Sequence, residues 1–301
     1  MSRLRSPRGL IASLRNIYQY HQLTGNLVVR NLKIKYKAST LGFFWSLLKP
    51  LLILLILTAV FSQVPSFNER LDIDTSAFEY HPFGRQINLG FPLYLACALL
   101  PWLFFAGSMA EAADCIVGNP NLIKKVYFPR EILPLSVTLS NMLNCLLALV
   151  VLLGLLLLFG AGITWKILLL PIPLGIILIL GWGGTLIVSS LNVRYRDVGV
   201  GLEVALMALF YGSGVFYPPT LLPERIRTAF FICNPVAGIL LACRRLLLAG
   251  NFERYFAEQG PVVTDAHLFG FVVWAFVVSL VIFYLGFRIF RHYEGTFSDL
   301  L

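Results

Sequence analysis

The residues able to do chemistry in this 301-residue sequence are few and scattered. Its histidines, His21, His81, His267 and His292, stand apart from one another and outside, or at the ends of, the apolar runs. Its cysteines, Cys97, Cys115, Cys145, Cys233 and Cys243, show no metal-ligand spacing, although Cys233 and Cys243 are near enough in sequence to pair in a loop. There is no G-x-x-x-x-G-K-[ST] run to cradle a nucleotide phosphate, no H-E-x-x-H and no G-x-S-x-G. Glu111, Asp114 and Glu203 fall near the ends of apolar runs rather than in their middles. An ion-coupled carrier places ionisable groups at the membrane midplane, where each costs about 2.5–3.5 kcal/mol that function must repay. If this chain moves a solute uphill, the energy comes from a partner. One stretch is suited to such a contact. In 114–131, Asn119 can cap a short helix and Pro120 suits its first turn. Asn121, Leu122, Ile123, Lys124 and Lys125 follow, with Pro129 beyond to end the helix. A short helix rigidly joined to two apolar runs fits mechanical contact with a motor; periodicity alone favours a surface turn helix.

The elements that must hold these residues are membrane spans. Hydrophobic residues make up 58% of the chain and charged residues 13%, against nearly a quarter charged in soluble domains. A bilayer core needs about 20 mostly apolar residues per helix. Segments 43–63, 91–113, 132–160, 167–190 and 267–290 meet that, and 200–217 is a shorter sixth. Lys and Arg crowd the segment before residue 50 (Arg3, Arg5, Arg8, Arg15, Arg30, Lys33, Lys35, Lys37, Lys49) and recur at 124–130, 194–196 and 288–291. The intervening loops 64–90 and 161–166 lack that bias. The positive-inside rule then puts both termini in the cytoplasm and requires an even number of spans, which six satisfies. The net charge of +9 follows from this topology, and basic residues flanking spans do not make a nucleic-acid face. Arginines at 3, 5, 8 and 15 interrupt any signal-peptide core.

The expected fold class is an all-α membrane protein with a cytoplasmic segment, 1–40, and a transmembrane domain, 41–295. Within 24–37, Val28, Val29, Leu32 and Tyr36 share one helical side, and Arg30, Lys33 and Lys37 another. That is the pattern of an amphipathic helix lying among headgroups. Segment 220–249 is apolar but broken by Pro218, Pro219, Pro223 and Asn234-Pro235, and interrupted by Arg244 and Arg245. It reads as a re-entrant helix pair before the last span, tolerated only where protein or a cavity shields the break. A helix lying on the outer leaflet is the alternative.

Three segments carry a family resemblance. VVRNLKIKYKASTLGFFWSLLKPLL (28–52), NPNLIKKVYFPREILPLS (119–136) and LNVRYRDVG (191–199) resemble, in the same order, segments of the type-2 ABC permeases that export O-antigen, capsule and teichoic acid. The likeness extends over roughly 25–295, and loop 64–90 is longer than the pattern. The resemblance implies a homodimeric permease of the bacterial plasma membrane. It implies two copies of a separate ATPase, which holds ATP and magnesium, and a lipid-linked polysaccharide as cargo; drug or lipid cargo is the alternative. Asn119–Lys125 would be the coupling helix docked on that ATPase. Lys33, Lys35, Lys37, Leu41, Gly42 and Lys49 would lie at the substrate entrance, near a pyrophosphate, and the pair 220–249, with Pro218, Pro219, Asn234, Pro235, Arg244 and Arg245, at an outer gate. Phe43, Phe44, Trp45, Phe210, Tyr211, Phe216 and Tyr217 could line a channel in which sugars slide over rings, or form interfacial belts. The lysines likewise serve either phosphate or topology, and Arg244 and Arg245 either cargo or headgroups.

Overall fold

The structure is a computed structural model that describes residues 10–36, 44–61, 79–80, 87–88, 90–126, 128–158, 164–217, 222–248 and 265–300. Its helices are α1 (Leu10–Gln19), α2 (His21–Tyr36), α3 (Phe44–Phe61), α4 (Gly90–Asp114), α5 (Pro120–Lys125), α6 (Ile132–Leu158), α7 (Pro171–Arg194), α8 (Val198–Gly212), α9 (Glu224–Cys233), α10 (Pro235–Leu247), α11 (Asp265–Tyr293) and α12 (Phe297–Leu300). A 3₁₀ turn, Trp165–Leu169, leads into α7, and another, Glu294–Thr296, joins α11 to α12. The all-α expectation needs one amendment. Within the long loop, β1 (Glu79–Tyr80) pairs antiparallel with β2 (Ile87–Asn88), Glu79 opposite Asn88 and Tyr80 opposite Ile87.

Among the described residues, four helices are long and apolar enough to cross a membrane: Pro92–Asp114, Ile132–Leu158, Trp165–Arg194 and Ala266–Thr296. The bent pair Arg225–Cys233 and Pro235–Leu247, turned through 103°, makes a fifth if counted as one span. The other two expected spans correspond to α3, 18 residues, and α8, 15 residues, so the expected 200–217 ends early, at Gly212. Gly214, at φ +66°, then supplies the left-handed turn that a β-carbon would disfavour.

α4 is the hub, packing on α3, α6, α7, α8 and α10, whereas α11 packs on α7 and α10 at the edge. The share of each apolar stretch inside the protein agrees: 72% for α4 and 11% for α11. α7 and α11 meet at glycines. A β-carbon on Gly286 would fall 2.3 Å from the Gly183 carbonyl oxygen, and one on Gly183 would strike the Phe283 backbone at 2.6 Å. Small residues that let backbones meet are how helices associate where no hydrophobic force drives them together. Thr138 on α6 meets Thr185 on α7 at 3.1 Å, each hydroxyl also bonded to its own helix, so neither is left unmatched in an apolar interior.

α2 lies against α6, but not on the expected face. Thr24, Leu27 and Val28 are buried, and Val29 is 49% exposed. The side that packs is therefore 24/27/28, one step round from 28/29/32. The helix α1 before it was not anticipated.

Candidate functional site

At one end of the bundle α5 forms a short bridge between α4 and α6. Its limits, Pro120–Lys125, match the expected helix, but the expected cap does not form. Asn119 Nδ2 instead donates back to the Cys115 carbonyl at 2.8 Å, and its Oδ1 accepts from Arg30 of α2 at 2.5 Å. Asn119 thus fixes α5 to α2 rather than capping it. Ile123 is buried in a cluster with Leu27, Ile116, Phe128, Ile132 and Phe297, and Leu122 packs half-buried against that cluster. Asn121, Lys124 and Lys125 point outward. The face open to a partner is therefore polar and basic, with the apolar residues serving as its root.

Beside α5, the helices α2, α4 and α6 enclose an open hollow of about 360 Å³ whose polar lining includes Arg30, Asn31, Lys35, Glu111, Asp114 and Ser136. Lys35 is not a free cation there: its Nζ lies 2.6 Å from Glu111 and 3.1 Å from the Asn141 Oδ1. Asn31 donates to Ser136 at 3.2 Å. Of the other entrance lysines, Lys33 is exposed, whereas Lys49 falls within α3. Lys37, Leu41 and Gly42 lie outside the described residues, as do Phe43, Pro218 and Pro219. Burial pushes the Cys115 thiol well above its usual range, which leaves it a poor nucleophile.

The residues nearest the opposite end form a second cluster. Asn234, at the break between α9 and α10, donates to the Gly212 carbonyl at 2.9 Å and to Ser213 at 3.1 Å, and its Oδ1 accepts from Ala237 N. Here the sequence-marked Asn-Pro does cap its helix. Arg244 is buried, 2% exposed. Its guanidinium donates to the Tyr94 carbonyl at 3.2 Å, the Tyr94 hydroxyl at 3.1 Å, the Gly214 carbonyl at 2.8 Å and the Val215 carbonyl. It also lies 4.1 Å from the Tyr94 ring centroid. Arg245 is half-buried. The pair α9–α10 is therefore stitched to the turn after α8 at two points, Asn234 and Arg244.

The aromatic residues divide. Phe210 joins Trp102, Tyr211 and Phe216 with centroids 5.5, 5.5 and 4.9 Å away, a stack running from α4 to the turn after α8. Tyr211 is 59% exposed, so the stack presents one ring outward. Tyr217 instead pairs with Phe230 of α9 at 6.5 Å. Trp45 stands exposed on α3, where Phe44 is the first residue.

The structure also shows a group that the motif reading passed over. Arg130 and Glu131, just after α5, both reach the residues that end α11. The quoted motif contained them, but nothing in local spacing points to contacts with residues far along the chain. Among the described residues no cluster of histidine, cysteine or acidic side chains could hold a metal ion.

Comparison with known proteins gives a family. Residues 22–247 match the ABC-2 type transporter family. The O-antigen export system permease protein RfbA of Myxococcus xanthus is 29% identical over 267 residues, 88% of this chain and 94% of that protein. The protein of the same name from Klebsiella pneumoniae is 26% identical over 298 residues, 96% and 100% respectively. The polysialic acid transport protein KpsM of Escherichia coli is 20% identical over 273 residues, 89% and 92%.

Proposed function

This chain belongs to the ABC-2 type transporter family, and on that premise we propose that it is the membrane permease of an ATP-driven polysaccharide exporter. Its role is transport rather than catalysis. The observation that carries the reading is end-to-end correspondence with permeases named for O-antigen export, spanning 96% of this chain in one case. A polysialic acid transport protein among the relatives supports the same cargo class, and no observation favours a drug or lipid cargo.

The finer assignments are part of the proposal. The cargo is a lipid-linked polymer, moved from the inner to the outer face of a bacterial plasma membrane. Two copies of this chain form the pathway, and two copies of a separate ATPase, holding ATP and magnesium, power it. α5 is the coupling helix, reached by the ATPase through Asn121, Lys124 and Lys125, and α2 lies at the inner interface. Six crossings result when α3 and α8 complete the four long helices and the bent pair returns to the face it entered. Both termini are then cytoplasmic, in keeping with the Lys and Arg excess before α3.

The test is a deletion strain. Sugar analysis of its surface should show loss of one polymer, with lipid-linked material retained inside. Expression of this chain should restore the surface polymer only together with its ATPase. An unchanged surface polysaccharide profile would reject the cargo assignment.

A further inference from the structure

Arg130 and Glu131 join α5 to α6, and each holds the far end of the chain in a different way. Arg130 Nη1 donates to the Glu294 carbonyl at 2.5 Å, across 164 residues of sequence, and its guanidinium lies 6.0 Å from the Phe297 ring centroid. Glu131, 1% exposed, meets Arg291 Nε at 2.9 Å. Arg291 in turn lies 3.0 Å from the Glu294 carboxylate and donates to Ser13 Oγ of α1. Phe297 is fully buried with its ring 5.3 Å from Phe290, and α12 packs directly on α5.

α5 is continuous in backbone with α4 and α6 alone. A force on α5 reaches those two helices through covalent structure. It reaches α11, the last long helix, only through non-covalent contact. Apolar contact by itself lets elements slide, since dispersion has little direction. Hydrogen bonds from the Arg291 guanidinium to the Glu294 carboxylate and the Ser13 hydroxyl fix both distance and angle, and the Glu131 carboxylate 2.9 Å away adds charge attraction. A buried ion pair adds little net stability compared with apolar packing, so its presence here is better explained by placement than by folding energy.

We infer that Arg130 and Glu131 clamp onto Arg291, Glu294 and Phe297, tying α11 and α1 to the coupling helix so that α11 follows its motion along with α4 and α6. Arg291 is a positioning residue for energy coupling. The inference rests on the reading of α5 as the ATPase-docking helix.

The experiment compares the intact complex of permease and ATPase with complexes carrying Arg291→Gln, Glu131→Gln and the exchange Glu131→Arg with Arg291→Glu. Three quantities are read: membrane level with co-purified ATPase, ATP hydrolysis, and polymer exported per ATP. Both single variants should keep ATPase binding and hydrolysis, while export per ATP falls by about tenfold, the scale of a typical coupling energy. The charge exchange restores the 131–291 ion pair but sets the new carboxylate at position 291 against Glu294, so it should recover part of that loss. Export per ATP unchanged in Arg291→Gln would overturn the clamp. So would an exchange variant no better than the singles, or single variants that lose membrane level, hydrolysis and export together, since these mark a purely structural role. A separate control, Lys124→Glu with Lys125→Glu, tests the docking reading: if it leaves ATPase binding intact, that reading fails and takes the clamp with it, whatever the Arg291 variants show.

Discussion

Arg244 shows how a charge can be placed in an apolar interior with no counter-ion among the described residues. Three carbonyls, one hydroxyl and a ring face take the place of a carboxylate. Removing the donor while leaving its acceptors buried is the expensive change. Arg244→Met should lower unfolding stability in detergent by about 2–4 kcal/mol, with Arg244→Lys between the two, because an ammonium keeps the charge and loses the fork. A denaturant titration measures this, and a Met variant as stable as the parent would remove the stitch. Glu131 offers a pH test. Burial, with Glu294 adding to it and Arg291 opposing, raises its carboxyl above the usual carboxylate range. The folded state then binds the proton more tightly than the unfolded state does. Stability from this group is full below the ordinary carboxylate range and declines as pH rises from there through the Glu131 midpoint. Glu131→Gln should flatten that decline in a stability profile begun near about pH 4. The sequence marked Arg244 as anomalous because a cation interrupts an apolar run, yet it gave no sign that the partner is Tyr94. Asn119 was singled out for a cap, and besides the Cys115 carbonyl its side chain meets Arg30, 89 residues away. Residue type was readable from the chain; partner identity was not, because it depends on which helices meet.

Element limits followed from composition almost throughout. Pro120, Pro171 and Pro235 open helices where a missing N–H costs nothing, and long apolar runs leave the backbone no option but to bond within itself. Faces were harder to read, since an apolar residue faces lipid as readily as protein. This explains α2, whose buried side includes Thr24, and the root of α5. Leu122 and Ile123 had looked like docking residues, but Ile123 is 5% exposed. Ile123→Asp should cost about 2–5 kcal/mol by breaking the core. Lys124→Glu with Lys125→Glu should instead leave the fold intact and reduce ATPase co-purification in a salt-sensitive way. Two glycine substitutions separate a crossing from an open position. Gly286→Ala must push α7 away from α11 and should lose about 2 kcal/mol or more, as overpacking does. Gly25→Ala, in α2 with nothing within 4 Å of the new carbon, should gain up to about 1 kcal/mol. Thermal melts of the two variants should move in opposite directions.

For the molecule as a whole, α4 sits at the centre of an apolar body. Charge bias gave the proposed orientation because it acts on each loop separately and needs no tertiary information. α8, with no buried residue, is 15 residues long and so about 22 Å, short of a bilayer core of about 30 Å. Such a helix is better covered by a second copy than by lipid, in line with the proposed dimer, and cross-linking across α8 in native membranes should yield dimers.

The cysteines are unevenly exposed. All five are free, and Cys97, Cys115, Cys145 and Cys243 are buried while Cys233, at the sharp bend before Asn234, is open. The unmodified protein therefore carries its own reporter. A membrane-impermeant maleimide added to whole cells has one accessible thiol per chain, and prompt labelling from the medium would locate the tip of the bent pair on the outer surface without engineering a single residue.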